Sequence, residues 1–171
     1  MQALLNVNNL CKHYRRSNGL FSSNLQTAYN NINFSLDKGK TLSIIGESGS
    51  GKSTLVQTIA GLRTQTSGDI HLKGKALSEL SLQERCKSIR MIFHAPSSSL
   101  NPKSTIGRIL TEPLQLNSNL IAIERDKQIK NTLNLVGLLP DYLAFYPDML
   151  SNVQQHQVAL ARAMILDPDI I

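Results

Sequence analysis

The octapeptide Gly46-Glu47-Ser48-Gly49-Ser50-Gly51-Lys52-Ser53 restricts the fold of this chain more than any other stretch. It fits G-x-x-x-x-G-K-[ST] at every required position, and its flanks agree with that pattern. Thr41-Leu42-Ser43-Ile44-Ile45 is nearly all apolar, as a strand buried on both faces of a sheet would be. Ser53 to Leu62 then reads as a helix ended by Gly61. Gly46, Gly49 and Gly51 lack a Cβ, so the backbone can curl and bring its N–H groups up to phosphate oxygens. The helix starting near Lys52 turns its unpaired amides and positive dipole end toward the same oxygens. Lys52 is suited to neutralising the outer phosphates and the Ser53 hydroxyl to holding Mg²⁺. Glu47, Ser48, Ser50 and Thr54 complete the expected contact set. A nucleoside triphosphate is the ligand this stretch implies.

Length and composition agree with one globular domain. The 171 residues are 41% hydrophobic and 18% charged. No apolar run approaches the ~18 residues of a membrane helix, and Met1-Gln2-Ala3-Leu4-Leu5 lacks the basic start of a signal peptide. Cys11 and Cys86 are too few and too isolated for a metal set or a disulfide framework. The net charge of +6 suits a phosphate ligand or an anionic surface. Nucleic-acid binding would want a basic stripe interleaved with aromatics; four Tyr, four Phe and no Trp provide none.

Along the chain, Leu4 to Leu10 has strand character, and Ile32 to Leu36 alternates with period two. Between them Arg15 to Gln26, polar and rich in Ser and Asn, reads as a surface loop. Short strands are expected over Asp69 to Lys73 and, buried, over Ile89 to Phe93. Residues 105–165 read as mostly helical, with Ile129, Leu133 and Val136 on one face. Asp167-Pro168-Asp169-Ile170-Ile171 reads as a turn leading into a strand that has only begun. The fold class is α/β.

Ser48-Gly49-Ser50-Gly51-Lys52-Ser53-Thr54-Leu55, preceded by a β-rich stretch, resembles the ATP-binding subunits of ABC transporters, and the resemblance runs along the whole chain. Ser99-Leu100-Asn101-Pro102 resembles the S-L-N-P of the peptide importers. Val136 to Asp141 and Tyr146 to Ser151 resemble the approach to the signature region, and Val158-Ala159-Leu160-Ala161-Arg162-Ala163 its helix. Within the peptide-importing Sap, Opp and Dpp branch, Leu114 to Leu120 is most similar to the Sap type. The resemblance implies a P-loop ATPase core with an N-terminal antiparallel β subdomain and an inserted helical subdomain, C-terminally truncated. On that reading residues 1–96 are the β-rich and phosphate-loop core, 97–150 the helical subdomain, and 151–171 the signature helix with the start of a core strand. It also implies ATP and Mg²⁺ as ligands, with Tyr14 as the ring that stacks on adenine. A tyrosine capping the edge of the core would look the same in sequence.

Three departures from the family pattern stand out. The Q-loop glutamine is His94, whose ring nitrogens sit differently and titrate near neutrality. The signature L-S-G-G-Q reads Leu150-Ser151-Asn152-Val153-Gln154, with a β-branched Val153 where a glycine would let a phosphate approach. The arginine that commonly follows is Gln157. Third, the resemblance places the Mg²⁺-orienting aspartate, catalytic glutamate and switch histidine beyond Ile171, so no catalytic residue is expected within the chain. Asp167 and Asp169 flank Pro168 before the strand and are no substitutes.

The implied function is coupling of ATP binding and hydrolysis to peptide uptake. Implied partners are a second, head-to-tail ATPase subunit, membrane permease subunits and, through the complex, a peptide-binding protein, at the cytoplasmic face of a bacterial inner membrane. The alternative of another class is a hydrolysis-incompetent nucleotide-binding fragment or regulatory subunit. A small-molecule kinase would need a lid with arginines aimed at the phosphates, where residues 97–150 carry the importer pattern instead.

Overall fold

A computed structural model describes residues 3–17, 23–93 and 99–171. The chain forms two compact units, Met1–Arg85 and Cys86–Ile171.

The first unit is built on an antiparallel sheet with strand order β2-β1-β3-β4. The strands are β1 (Leu5–Ser17), β2 (Ser23–Leu36), β3 (Ser67–Leu72) and β4 (Lys75–Ala76). Leu5, Val7 and Leu10 of β1 are buried with Ile70 and Leu72 of β3, which gives the sheet its apolar face. Lys73 and Gly74 join β3 to β4 with φ of 51° and 79°, the two positive dihedrals of a type I′ hairpin turn. The polar stretch from Arg15 to Gln26 is not a plain surface loop. Tyr14 pairs with Gln26, Arg15 with Leu25, and the ladder continues to Ser17 opposite Ser23. The pairing is made by the backbone, and Leu25 on this arm is exposed, so no hydrophobic alternation announces it.

The pairing of β1 is irregular between Val7 and His13. There Asn9 and Asn31 adopt φ of 47° and 51°, a region asparagine tolerates better than most residues. Asn33 ties them together: the Asn9 amide donates to Asn33 Oδ1 at 2.7 Å, and Asn33 Nδ2 donates to Asn31 Oδ1 at 3.0 Å. Helix α1 (Lys52–Ile59) packs Leu55 and Ile59 into the core. Its buried Thr58 accepts from the Tyr29 hydroxyl at 2.8 Å and donates to the Thr54 carbonyl at 2.8 Å. Burial pushes the Tyr29 phenol up from its ordinary range, against the Thr58 hydrogen bond that lowers it.

The expected strand over Thr41 to Ile45 is absent. No ladder forms there, and Leu42, Ile44 and Ile45 are exposed, Ile45 at 91%. A parallel strand exists only when neighbours supply its hydrogen bonds. Among the described residues the isolated parallel bridge is Ile89 with Ile170, in the second unit. The strand expected over Ile89 to Phe93 is reduced to that bridge, fastened by Arg90 N–H to the Ile170 carbonyl at 2.9 Å.

Helix α2 (Leu82–Ser88) spans the boundary between the units. The second unit contains α3 (Ile106–Asn117), α4 (Ala122–Leu135) and α5 (Asn152–Met164), with 3-10 turns at Pro140–Ala144 and Pro147–Met149. Ile106, Ile109, Leu110 and Leu114 of α3 meet Ile129 and Leu133 of α4 and Val158 and Ala161 of α5 in one apolar cluster. Ile129, Leu133 and Val136 are all buried, as their spacing predicts. The two glutamines Gln128 and Gln157 bind α4 to α5. Gln157 Nε2 donates to the Val136 carbonyl at the end of α4 at 2.8 Å, and Gln128 Nε2 donates to the Ile165 carbonyl at the end of α5 at 2.6 Å. Each helix thus fills an orphan C-terminal acceptor of the other, as two antiparallel neighbours can.

Candidate nucleotide-binding site

Gly46 to Ser50 form an exposed turn, and α1 begins at Lys52. Gly49 and Gly51 have φ of 83° and 91°. At Gly51 a Cβ would lie 2.1 Å from the Ala28 carbonyl oxygen, so any other residue there collides with β2 as well as straining the backbone. Gly51 is also the N-cap of α1, with no side-chain cap and no acidic residue in the first turn. The amides at this helix start are therefore left without an internal acceptor from a cap, which is the condition for receiving an anion.

Lys52 curls back over the loop. Its ammonium donates to the Gly46 carbonyl at 2.7 Å, the Glu47 carbonyl at 2.6 Å and Ser50 Oγ at 3.3 Å. The cation thus lies in the middle of the loop with its three donors directed at uncharged oxygens. The Ser50 amide reaches the Glu47 carbonyl at 3.2 Å, which holds the turn closed. Ser53 is exposed at the second position of α1, and Thr54 is half-buried. Uncapped amides, a centred ammonium and an exposed hydroxyl fit a magnesium triphosphate.

Tyr14 is half-buried on β1 with two cations over its ring. Lys12 Nζ lies 5.0 Å and the Arg63 guanidinium carbon 6.0 Å from the ring centroid. One Arg63 Nη donates to the Tyr14 hydroxyl at 3.1 Å. Arg63 carried no sequence signal: nothing in its spacing from Tyr14 announces a contact across 49 residues.

The signature-position segment lies on the second unit. Leu150 is buried, Ser151 is the N-cap of α5, and Val153 is 71% exposed. Ser151 Oγ accepts from the Gln154 amide at 3.3 Å, while the Ser151 amide donates to Gln154 Oε1 at 2.9 Å. This capping box satisfies two of the four orphan amides of the helix start from within, those of Ser151 and Gln154. Gln154 also donates to the Tyr142 hydroxyl at 2.8 Å, and Gln155 donates to the Pro147 and Leu150 carbonyls at 2.9 and 3.2 Å. Asn152 is exposed, and its carbonyl lies 2.8 Å from His156 Nδ1. Arg162, further along α5, donates to the Ser99 carbonyl at 2.6 Å; burial, with Arg90 adding repulsion, lowers its pKa from the ordinary arginine range. His94 lies outside the described residues.

Among the described residues no group of His, Cys, Asp and Glu could hold a metal ion, and no helix is long and apolar enough to cross a membrane. The ABC transporter family profile matches residues 29–171. The chain is 44% identical over its whole length to the putrescine export system ATP-binding protein SapF of Escherichia coli K12, and equally to the peptide transport system ATP-binding protein SapF of Salmonella typhimurium. It covers 64% of each, so it spans somewhat under two thirds of these relatives. It is 38% identical to the di/tripeptide transport ATP-binding protein DppF of Pseudomonas aeruginosa, covering 54% of that protein. Among solved structures, the dimeric bacterial ABC transporter cassette MJ0796 superposes with a TM-score of 0.81 at 28% identity, over 96% of this chain and 70% of that one. The fold is that of an ABC ATPase cassette, α/β with an antiparallel sheet and helices, and the chain belongs to the ABC transporter family.

Proposed function

We propose that this chain is the ATP-binding part of an ABC transporter subunit that works on peptides. The observation that carries the nucleotide reading is the uncapped start of α1 with the Lys52 ammonium centred in the loop before it. A triphosphate would take over the lysine's three donors and exchange neutral carbonyls for charged oxygens, a stronger class of hydrogen bond. The loop amides and the α1 N-terminus would hold the β and γ phosphates, Ser53 would ligate Mg²⁺, and Tyr14 would stack on adenine. Bound Mg·ATP supplies the scissile phosphoanhydride and the charge that draws a second subunit across it. The peptide substrate is supported by the names of the relatives: SapF, DppF and AppF are peptide transport proteins, although the Escherichia coli K12 SapF is named for putrescine export. A second ATPase subunit and permease partners follow the same line, since MJ0796 is a dimeric cassette. Such partners would hold the chain at the membrane surface.

Isothermal calorimetry of the wild-type chain and Lys52→Ala tests the nucleotide reading. Micromolar-range ATP binding that disappears in Lys52→Ala is expected; equal binding by the two removes the loop from the site.

A second reading is favoured by one observation, the self-satisfied start of α5 with Asn152 and Val153 in place of glycines. There the chain is a hydrolysis-incompetent nucleotide-binding fragment or regulatory subunit. A phosphate-release assay on the chain reconstituted with a homologous ATPase separates the two. Turnover that rises when Asn152 and Val153 are both changed to glycine supports the second reading, and turnover already at the level of the partner pair alone supports the first.

A further inference from the structure

Tyr14 stacks on a base only as well as its ring is held, and one side chain holds it at two points. Arg63 follows α1 directly. Its amide and that of Leu62 reach the Gln57 carbonyl at 3.3 and 2.9 Å, so the chain at Arg63 is tied to the helix. Its Nε donates to Gln57 Oε1 at 2.5 Å, and an Nη donates to the Tyr14 hydroxyl at 3.1 Å with the guanidinium 6.0 Å from the ring centroid. Lys12, which lies 5.0 Å from the same centroid, donates to the Thr64 carbonyl at 2.6 Å. Neither cation pairs with a carboxylate among the described residues; their acceptors are neutral oxygens. Two cations are thus engaged with one aromatic ring and with neutral oxygens.

We infer that Arg63 is a positioning residue of the nucleotide site, fixing the Tyr14 ring relative to the helix that starts at Lys52 and so setting where a purine base stacks. The inference rests on the nucleotide reading of Gly46–Ser53. The guanidinium suits this task because its donors diverge in a rigid plane: one fork arm is anchored on α1 while the other reaches the phenol. A helix is stiff along its length, so Gln57 transmits the position of the phosphate loop to the arginine. The phenol bond and the ring contact together limit rotation about the tyrosine side chain, and a ring ordered before binding loses less freedom on stacking. Lysine could supply charge over the ring, but its donors all leave one atom and lack the rigid plane that holds two acceptors at a fixed angle.

Calorimetry with two probes, ATP and inorganic tripolyphosphate, tests the inference on the full 171-residue chain. Arg63→Ala is expected to weaken ATP about three- to tenfold and to leave tripolyphosphate within about twofold, because the phosphate loop is untouched. Arg63→Lys is expected to recover only part of the loss. In a Tyr14→Ala background Arg63→Ala is expected to have no further effect, as an action through Tyr14 requires. Thermal melts of each variant check that the fold is retained; Arg63 is exposed and outside the core. Equal weakening of both probes, tighter ATP binding in Arg63→Ala, or additive losses in the double variant would each overturn the assignment. If wild-type chain binds neither probe, the phosphate-loop reading fails first and this one falls with it; if Lys52→Ala abolishes both while Arg63→Ala changes neither, only the arginine's role is lost.

Discussion

The starts of α1 and α5 are the same physical object, a helix N-terminus with four unpaired amides, and they are finished in opposite ways. At α1 the cap is Gly51 in the left-handed region, with no side-chain acceptor and no carboxylate in the first turn. At α5 the cap is Ser151, whose hydroxyl and amide form a closed box with Gln154. The first end keeps its field and donors available, while the second uses two of them internally. Three more glutamine contacts, to Tyr142, Pro147 and Leu150, then fasten the α5 start to the turn before it. A helix start becomes a phosphate site when the sequence withholds a cap. Glycine is the residue that withholds it while allowing the backbone to enter the helix from the left-handed side.

The change expected to disturb this contrast most is Gly51→Ala. The new Cβ would sit 2.1 Å from the Ala28 carbonyl on a residue with φ of 91°, so the first unit should lose about 3 kcal/mol and ATP binding with it. Chemical denaturation gives the stability; a loss below about 1 kcal/mol means that β2 can retreat from the loop. Gln157→Leu comes next. It leaves the Val136 carbonyl without its donor at the end of α4 and should destabilise the second unit by about 1–2 kcal/mol. Amide exchange should quicken at the C-terminal turn of α4 before the rest of the cluster; uniform quickening would show that the bond has no local task. Ser151→Ala should cost about 1 kcal/mol while leaving ATP affinity of the isolated chain unchanged. A drop in that affinity would break the contrast, since it would place ligand contacts at an end that is closed by its own side chains.

The smallest effect concerns a third capped end. The Glu84 carboxylate accepts from both the amide and the hydroxyl of Ser81, each at 2.7 Å, and these bonds hold its pKa below the ordinary glutamate range. A depressed carboxylate stabilises the fold above its unfolded pKa and loses that contribution as pH falls through the folded value. The Ser81 amide resonance should therefore titrate with a midpoint below that of an unperturbed glutamate. A midpoint at or above that value would mean that the carboxylate is not held by Ser81.

Much of the molecule was legible in the order of its residues. Local chemistry is enough for the turn before α1 and its uncapped start, where Gly49 and Gly51 take the positive φ that the glycine spacing implies. The same holds for the buried face of α4 at Ile129, Leu133 and Val136, which follows from helical periodicity. Elsewhere the tertiary structure decided the outcome. The apolar run at Thr41 to Ile45 satisfies every local rule for a buried strand, yet a parallel strand is made by its neighbours, and none pairs with it among the described residues. Arg15–Ser17 opposite Ser23–Leu25 shows the converse, pairing as strand without a hydrophobic alternation to announce it. Gln128 and Gln157 read as ordinary surface amides until two antiparallel helices bring each to the other's last carbonyl. Arg63 reads as one cation among many until the end of α1 is folded against β1 and its guanidinium finds Tyr14. Composition and spacing determine what a residue can do with its own backbone; which distant group it meets is settled only when the chain has been packed.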